Sequence, residues 1–362
     1  MSFIMSNKGA RWADEDGLFS PEDRIVSLKD DGWKTAGRDD MFEWWYTDIV
    51  FDDGSKLCIN FFTKQTVFLK GPLNPMVTFN LDMADGTHIA LSKPYSADEF
   101  SAALDRPDVK IGNNTFRGDL KHYDIHLELG EVTADIQLDS ASEPWKPHTG
   151  ALLMGDRGEQ GDVPAIPLGK GSGTIQTAEG RQIAVNGTCY HDHQWGTYTI
   201  ATDYYRWYWG RAKLDDYNVI AAYMYTGKEF DYRPFSTFLI EKDGKVVADC
   251  NKGSIKVIEN GLKIDEETQK PYHEEIIYDW TMDDERYVVS FRMQNIFYRR
   301  NNLVMIPEEY REELIKSGFR SFYLRFSGTI SIEHYKNGVL VDKASSNDGI
   351  WEEAHMRDDG DC

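Results

Sequence analysis

The feature that most limits the fold of this chain is a succession of short segments in which apolar and polar residues alternate. His122–Leu129 is one example, with apolar residues at Tyr123, Ile125, Leu127 and Leu129. A period of two places successive side chains on opposite faces of a β-strand, so that one face packs in a core. Turns rich in Gly, Asn and Asp separate these segments, and few segments have helical periodicity. We therefore predict an all-β protein of antiparallel strands.

Segments of this kind occur in both halves of the chain. Those of the first half are residues 41–51, 56–66, 78–83, 173–177 and 181–185. Those of the second half are residues 204–213, 217–226, 237–242, 245–248, 254–258, 287–294 and 322–335. Asp243-Gly244 is one of several turn signals that join neighbouring strands as hairpins. The halves are alike in length and pattern, so we predict β domains at residues 41–200 and 201–362 after an N-terminal arm at residues 1–40.

Three segments depart from this alternation. Ser96 and Glu99 have the spacing of a capping box, which predicts a short helix that ends near Leu104. Residues 140–174 contain four Pro, and seven Gly fall between 150 and 173, so we predict a long loop there. Residues 307–316 begin with Pro, continue with two Glu and end in Lys, a pattern that predicts a helix in the second half.

Composition narrows the classes of partner. A formal net charge of −21 argues against nucleic acid and against anionic membrane surfaces, both of which require basic patches. Aromatic residues make up 13% of the chain, with ten Trp, which favours either a β-rich core or the walls of an apolar ligand site. We therefore expect the partner to be a lipophilic small molecule.

Cysteine spacing and the lack of long apolar segments indicate in which cellular compartment the protein is expected. Four Cys, at positions 58, 189, 250 and 362, are far apart and form no C-x-x-C motif, which fits reduced thiols. The N-terminal sequence MSFIMSNKGARWADEDG lacks the apolar segment of a signal peptide. No stretch approaches the ~18 apolar residues that a spanning helix needs. We expect a cytoplasmic protein without stable membrane insertion.

The densest group of proton-transfer residues is the run Tyr190-His191-Asp192-His193-Gln194-Trp195-Gly196. In a strand, its two His residues point to one face, and Tyr190, Asp192 and Gln194 point to the other. A His-x-His pair can bind zinc, but the sequence supplies no further ligands at metal-site spacing. The alternatives are a His oriented by a neighbouring carboxylate as a general acid or base, and structural His and Asp residues that bridge two sheets. We expect no metal and no cofactor.

A second unusual run, Glu43-Trp44-Trp45-Tyr46, lies in the first predicted strand. Alternation directs Glu43 and Trp45 to one face and the other two residues to the opposite face. A Glu buried among indoles is a candidate proton donor. The alternative is an exposed Glu beside a core Trp.

A third run, Arg206-Trp207-Tyr208-Trp209-Gly210-Arg211, follows the central run. Its two Trp residues and Arg211 share one face, while Arg206 and Tyr208 share the other. Trp beside Arg suits cation–π stacking or an aromatic wall that faces a developing carbocation, and ordinary sheet packing is the alternative. We predict that the three runs meet and line one aromatic pocket.

Taken in order, these three runs resemble the carotenoid 1,2-hydratase (hydroxyneurosporene synthase)/AttH family, whose relatives include kievitone hydratase and the fungal lipocalin-type Diels–Alderases. The resemblance covers most of the chain in order and length, and its specific identity lies in the three short runs. It implies two lipocalin-like antiparallel β-barrels in tandem, with few short helices. It also implies a cofactor-independent enzyme that acts on the C=C bonds of a lipophilic substrate.

The resemblance further implies roles for individual residues. It assigns catalysis to the His and Trp of the central run, here His193 and Trp195, and to a Tyr and an Asp on a following strand. That strand is here residues 218–225, which include Tyr223 but no Asp at the expected place. Candidate replacements for this acid are Glu43, Asp192 and Asp203. In the alternative, this chain does not hydrate an alkene.

Three functions follow from these residues. In the first, His193 and Asp192 act as an acid/base pair that protonates a C=C bond of a polyene, isoprenoid or prenylated compound, and water adds or the cation cyclises. In the second, the pocket folds the substrate for a pericyclic cyclisation, and Tyr or His hydrogen-bonds a carbonyl. In the third, the barrels carry a ligand without catalysis. The predicted catalytic residues are His193, Asp192, Glu43 and Tyr223. The predicted substrate-binding residues are Trp45, Tyr46, His191, Trp195, Trp207, Tyr208, Trp209, Arg211 and Tyr225.

Overall fold

The alternating segments fold as antiparallel strands in both halves of the chain. The computed structural model describes residues 9–17, 20–64, 71–155, 158–197, 203–301, 303, 308–316, 318–347 and 349–357. The chain divides into two units, Met1–Thr199 and Ile200–Cys362. In each unit the described strands form a sheet that curls around an apolar core, which confirms the prediction of an all-β, tandem lipocalin-like fold.

The strands of the first unit are β1 (Ala10–Trp12), β2 (Phe42–Phe51), β3 (Lys56–Phe62), β4 (Met76–Asp82), β5 (His88–Pro94), β6 (Phe100–Ala102), β7 (Asp108–Ile111), β8 (Asn114–Gly118), β9 (His122–Leu129), β10 (Val132–Ser140), β11 (Ala151–Met154), β12 (Glu159–Gln176) and β13 (Gln182–Gly196). Their order in the sheet is β5-β4-β3-β2-β13-β12-β10-β9-β8-β7-β6, and β11 pairs with both β1 and β12. Because β2 lies beside β13, two strands that are far apart in the chain meet in the sheet.

Alternation decides which face of the first sheet forms the core. Leu57, Ile59 and Phe61 are buried along β3, and Val77 and Phe79 of β4 belong to the same core. Burial of one such side chain stabilises the fold by roughly 1.5–3 kcal/mol. A slip by one residue would expose this whole set, so core burial fixes the register of the strands.

The strands of the second unit are β14 (Tyr204–Leu214), β15 (Tyr217–Thr226), β16 (Pro234–Lys242), β17 (Lys245–Asp249), β18 (Ser254–Ile264), β19 (Pro271–Met282), β20 (Glu285–Asn301), β21 (Phe319–Lys336), β22 (Val339–Ser346) and β23 (Gly349–Arg357). Their order is β17-β16-β15-β14-β23-β21-β20-β19-β18, with β22 beside β21. The first and last strands of this unit are neighbours, since β14 pairs with β23.

The described helices are short. The 3₁₀ helices are Ala13–Asp16, Pro21–Arg24, Leu28–Asp31, Ala97–Glu99 and Lys228–Phe230, and the α-helix α1 is Glu308–Lys316. Helix α1 confirms the helix predicted in the second half, although residue 307 lies outside the described residues. No helix in the described part of the chain has both the length and the apolar character needed to span a membrane.

The predicted loop over residues 140–174 is wrong, because strands β11 and β12 occupy much of it. The register between β12 and β13 shifts twice between Pro164 and Gly169, and these irregularities accommodate the prolines. The glycines fit because a neighbouring strand leaves no room for a side chain. A Cβ on Gly171 would lie 2.7 Å from Ile49 Cδ1. Pro and Gly here mark bulges and close packing within a strand.

The helix predicted to start at Ser96 and end near Leu104 forms only its first turn, so the prediction is wrong beyond that turn. Ser96 Oγ donates to Glu99 Oε2 at 2.8 Å, so the capping contact forms as predicted. The turn ends at Glu99 because Phe100 is buried in the core and begins β6, which pairs with β7. Burial of one aromatic side chain overrides the local helix signal.

Candidate active site

The pairing of β2 with β13 brings the first two runs together. His193 lies opposite Trp45 in the register. Asp192, one residue earlier, lies opposite Tyr46. The prediction that these two runs meet is therefore confirmed. Because successive residues point to opposite faces of a strand, the paired runs present one group of side chains to the core and another to the opposite face.

The core-facing group is a sealed set of side chains, here called the inner cluster. Its members, each 0% exposed, are Asp31, Glu43, Trp45, Tyr123, His191 and His193. His193 Nε2 lies 2.7 Å from Glu43 Oε1, and the His193 ring stacks on Trp45 at 4.7 Å. His191 Nε2 lies 3.1 Å from Asp31 Oδ2. Two His–carboxylate pairs therefore lie in the core. His193 Nδ1 of one pair lies 3.6 Å from Asp31 Oδ1 of the other.

Hydrogen-bond geometry places the ring hydrogens of this cluster. His191 Nδ1 lies 2.7 Å from the carbonyl oxygen of Tyr46. His193 Nδ1 lies 2.9 Å from the carbonyl oxygen of Asp30. A carbonyl oxygen only accepts, so both Nδ1 atoms carry a hydrogen. Each Nε2 atom faces a carboxyl group, that of Asp31 for His191 and that of Glu43 for His193.

Glu43 holds the N-terminal arm against the sheet. It accepts hydrogen bonds from the backbone N–H groups of Lys34 and Thr35, at 2.8 and 3.0 Å, and from the Thr35 hydroxyl at 2.7 Å. These donors engage both oxygens of the Glu43 carboxyl group. Both His193 nitrogens also face an acceptor, Nε2 the Glu43 carboxyl group and Nδ1 the Asp30 carbonyl oxygen. The inner cluster thus clamps residues 30–35 onto β2 and β13, with both His193 nitrogens engaged by protein groups.

Tyr123 and Trp45 complete this clamp. The Tyr123 hydroxyl donates to Asp31 Oδ2 at 2.5 Å, and burial raises the pKa of Tyr123 well above its usual range. Trp45 Nε1 donates to the Asp31 carbonyl oxygen at 3.0 Å. Both aromatic side chains therefore contribute one hydrogen bond and a large buried surface to the attachment of the arm.

Trp195 lies on the same face and is half-buried. Its ring lies 5.0 Å from that of His193, and the Lys34 ammonium lies 5.2 Å from its centroid. Burial lowers the pKa of Lys34 from its usual value. Space for the indole comes from Gly161 on β12, where a Cβ would lie 2.1 Å from the ring. Trp195 is thus more accessible than the sealed inner cluster.

The opposite face of the same strands carries two acids, Asp162 of β12 and Asp192 of β13, here called the carboxyl pair. Asp162 lies opposite Gln194, so the two acids are diagonal neighbours on one face. Asp192 Oδ2 accepts a 2.9 Å hydrogen bond from the Tyr190 hydroxyl and a 3.4 Å bond from the Gln194 amide. Oδ1 of each acid is shut off from solvent and accepts no hydrogen bond.

Burial favours the protonated form of both acids of the carboxyl pair. It raises the pKa of Asp162 to about 7. Burial, together with the nearby Asp162, raises the pKa of Asp192 well above its usual range. Since Oδ2 of Asp192 is the oxygen that accepts hydrogen bonds, the acid hydrogen belongs on Oδ1. Asp192 is therefore an acid with a raised pKa and with one buried oxygen that accepts no hydrogen bond.

The structure does not bring His193 and Asp192 together as the predicted acid/base pair. Alternation places them on opposite faces, and Glu43 contacts the His193 ring instead. Trp45 likewise lies in the core beside His193, whereas Tyr46 lies on the face of Asp192. The predicted residues of the first unit therefore divide between two separate groups.

Two acids of these groups were absent from the sequence-based site. Asp31 belongs to the N-terminal arm and carries no motif, and it meets His191 across 160 residues of chain. Asp162 lies in the segment predicted as a loop. Had this segment been predicted as a strand paired with the central run, Asp162 would have been placed beside Asp192. The neighbouring Pro and Gly residues hid the strand, and with it the position of Asp162.

In the second unit, the third run lies on β14, between β15 and β23. Its core-facing side carries polar residues here called the second-unit cluster. The members are Arg206, Tyr208, Tyr223, Tyr225, Glu259, His273, Glu353 and His355. Arg206 donates to the Tyr208 hydroxyl at 3.0 Å and to Glu259 at 2.8 Å. The Tyr208 hydroxyl lies 2.7 Å from His273 Nδ1. Arg206 and Tyr208 share a face, as predicted.

Glu353 is a fully buried acid of this cluster. It accepts a 3.0 Å hydrogen bond from the backbone N–H of His273, and His355 Nε2 lies 2.7 Å from it. Burial acts to raise its pKa, but the hydrogen bonds and charges of these two His residues lower the pKa of Glu353 to about 2. Glu353 is therefore charged near neutral pH, in contrast to the carboxyl pair.

The remaining predicted residues of the third run lie on the other face of the second sheet. Trp207 Nε1 donates to Glu352 at 3.1 Å, and Arg211 is 1% exposed. Asp203, a candidate for the missing acid, is also buried. That the third run forms one pocket with the first two stays a prediction. Within the described ranges, no three His, Cys, Asp or Glu side chains are arranged to hold a metal ion.

No family model matches this chain. Among curated proteins, it is similar to the quinolone epoxide rearrangement protein penF from Penicillium thymicola, with 27% identity over 82 residues. That match covers 22% of this chain and 22% of penF. It therefore spans less than a quarter of the length of the relative.

Several solved structures are similar to the chain over most of its length. CghA with Sch210972 has a TM-score of 0.62 and 12% identity, over 88% of this chain and 89% of that one. A putative AttH from Nitrosomonas europaea has a TM-score of 0.59 and 16% identity, over 94% and 99%. Kievitone hydratase from Nectria haematococca has a TM-score of 0.55 and 13% identity, over 92% and 93%. The chain shares their fold, and the resemblance inferred from the three runs is confirmed at this level.

Proposed function

We propose that this protein is a cofactor-independent enzyme that acts on a C=C bond of a lipophilic polyene, isoprenoid or prenylated substrate by donating a proton from Asp192. The observation that carries the proposal is the carboxyl pair, two acids on one face whose Oδ1 atoms are buried and accept no hydrogen bond. An acid that stays protonated near neutral pH is the group that general acid catalysis requires.

The proposed hydration uses one acid, which is regenerated, and consumes one water molecule. Asp192 Oδ1–H gives its proton to one alkene carbon, so a C–H bond forms, the π bond breaks and a cation remains on the neighbouring carbon. The rings of Tyr46 and Tyr190, 6.2 Å apart on the same face, supply π faces that stabilise the cation. Water then bonds to the cation and returns a proton to Asp192. In a cyclisation, a second C=C bond of the substrate attacks in place of water, a C–C bond forms, and the new cation loses a proton to Asp192 as a C=C bond re-forms.

Asp162 helps to keep the proton on Asp192. Two carboxyl groups close together do not both ionise readily, since a second negative charge in a buried site is repelled by the first. After Asp192 has given up its proton, the neutral Asp162 leaves a single negative charge on the pair. This charge lies on the same face as the developing cation and stabilises it.

The names of the similar proteins support proton-transfer chemistry. Kievitone hydratase is named for the addition of water, and penF is named for the rearrangement of an epoxide. Hydration of a C=C bond and opening of an epoxide both use proton donation to the substrate. CghA was solved with Sch210972, so this fold accommodates a bound compound.

A pericyclic cyclase is the second candidate. Residues 218–225 contain Tyr223 and Tyr225 but no Asp, which favours a site that hydrogen-bonds a carbonyl over one that protonates an alkene there. Such an enzyme accelerates the reaction by holding the substrate in a folded conformation and polarising it.

Isotopically labelled water tests the proposal. Lipophilic compounds that co-purify with the protein are identified by mass spectrometry and then incubated with it in deuterated, oxygen-18-enriched water. Deuterium at carbon in the product, with oxygen-18 if water adds, supports protonation by Asp192, and the label should be lost with D192N. An unlabelled cyclic product supports the pericyclic cyclase, and an unchanged compound indicates a carrier, so either result contradicts the proposal.

A further inference from the structure

The cores of the two units differ in how completely they are sealed. Among the described residues, eleven half-buried apolar side chains pack against the second core, whereas six pack against the first. Those of the second core include Tyr223, Tyr225, Met293 and Ile296. Apolar and aromatic side chains that are only partly covered are the usual lining of a site for an apolar ligand. The core of the second unit is therefore the better candidate for such a site.

Arg206 joins these half-buried tyrosines to the polar second-unit cluster. Its guanidinium carbon lies 4.6 Å from the centroid of the Tyr225 ring, and the residue is 7% exposed. Nη1 and Nη2 donate to Tyr208 and Glu259, but Nε is buried and donates to no described group. Leaving a buried donor without an acceptor costs free energy, so this N–H is suited to receive an oxygen atom of a ligand.

The positive charge of Arg206 already has an acidic partner. Glu259 pairs with Arg206 at 2.8 Å, and the Tyr225 hydroxyl also donates to Glu259, at 2.9 Å. His355 Nε2 lies 2.7 Å from a second acid, Glu353. An anionic ligand group beside Arg206 would be repelled by the negative charge of Glu259. A neutral oxygen acceptor would satisfy Arg206 Nε and leave these pairs intact.

We propose that the core-facing side of the second unit binds an apolar ligand through a neutral oxygen acceptor, such as a ketone, ester or amide carbonyl, that accepts a hydrogen bond from Arg206 Nε. Tyr223 lies opposite Tyr208 on the neighbouring strand, is half-buried and supplies a second donor. This site belongs to the second unit, so it does not depend on the acid chemistry proposed for the carboxyl pair.

The test compares two ligands that differ in one group. The neutral fluorescent probe N-phenyl-1-naphthylamine is bound to the full chain and displaced by geranylacetone, or by the hydrocarbon in which a methylene replaces the carbonyl of geranylacetone. Because a hydrogen bond from a buried cation to the ketone is lost in the hydrocarbon, the ketone should bind about ten-fold more tightly.

Conservative variants locate the hydrogen bond. R206K keeps a positive charge beside Glu259 but removes Nε, so the ketone should lose about ten-fold in affinity while the hydrocarbon changes by less than about two-fold. Y223F should weaken the ketone by about three-fold and carries the test if R206K does not fold. The matched controls R286K and Y335F, in the same unit, should bind both ligands as the wild type does.

Three results would overturn this inference. In the first, the wild type binds the ketone and the hydrocarbon with equal affinity. In the second, neither compound displaces the probe. In the third, R206K or Y223F lowers the affinity for both compounds by the same factor. D192N should bind the ketone as tightly as the wild type. Loss of proton transfer in D192N is thereby separated from loss of this binding site.

Discussion

His193 and Asp192 are adjacent in the chain, yet their surroundings are opposite in chemical character. His193 points into the core, where Glu43 and a backbone carbonyl engage both of its ring nitrogens. Asp192 points to the other face, where burial raises the pKa of its carboxyl group and Oδ1 accepts no hydrogen bond. One strand thus presents a His–carboxyl pair on one side and, on the other, an acid whose pKa is raised by burial.

The difference between the two faces of the strand indicates which polar residues of the run are candidates for catalysis. On the core side, the His–carboxyl contacts hold residues 30–35, so a change there leaves a buried polar group without its partner. On the opposite side, burial raises the pKa of Asp192 and so favours its protonated form. We therefore propose that the inner cluster serves stability and that the carboxyl pair serves proton transfer, and four predictions test this division.

The largest effect is expected at Asp192. D192N removes the proton donor but keeps the shape of the side chain, so kcat should fall about 10²- to 10⁴-fold, the usual contribution of a general acid. Its melting temperature should be unchanged or higher, because no buried acid has to be kept neutral. The exposed Asp216 provides a matched control as D216N. Activity of D192N within three-fold of the wild type would place the donor elsewhere.

Glu43 should show the converse behaviour. E43Q removes the carboxyl partner of His193, and breaking a buried His–carboxyl pair in this way costs about 3–5 kcal/mol of unfolding free energy. The folded fraction should keep kcat within about five-fold. Urea unfolding and the assay used for D192N measure the two effects. A fully stable E43Q with no activity would mean that the inner cluster performs the chemistry.

A change at Glu353 tests whether a charged, buried acid stabilises the second unit. Its pKa is lowered to about 2, so its stabilising contribution is present above the unfolded pKa and is lost as the pH falls through the folded one. E353Q should lose roughly 2–3 kcal/mol near pH 7. The difference from the wild type should shrink as the pH falls from about 4.5 to about 2. A difference that does not depend on pH would contradict a charged Glu353.

Asp162 should give the smallest effect, with the opposite sign. Its pKa is raised to about 7, so between about pH 4 and that value the unfolded chain loses a proton that the folded chain retains, and stability falls as the pH rises. D162N removes this cost and should be more stable than the wild type by roughly 1–3 kcal/mol near pH 8, but not near pH 4. Urea midpoints at the two pH values measure the change. A D162N chain that is less stable near pH 8 would show that Asp162 is charged and paired.

Local periodicity was sufficient for the fold class and for the faces of the central run. Alternation placed His191 and His193 together and Asp192 on the opposite face, and the structure agrees. It failed in β12, where Pro and Gly that accommodate bulges and close packing had the composition of a loop. It also failed at Phe100, where core burial ended a helix that the capping box had started.

The protonation states in the site could not be obtained from local patterns. The partners of the two His residues include Asp31, which lies far away in the chain and carries no signal of its own. The state of Asp192 depends on burial and on Asp162, which reaches it only through the pairing of β12 with β13. Such long-range pairing is set by the whole sheet, whereas the presence of strands is set by nearby residues.

The most direct test of the central claim is an infrared spectrum of the C=O stretching band that marks a protonated carboxylic acid, recorded near pH 8 in water and in deuterated water. We predict a band in the wild type that shifts on deuteration, is retained in E43Q and is lost in D192N. A band that persists unchanged in D192N but disappears in E43Q would place the proton in the inner cluster and contradict the assignment of Asp192 as the acid.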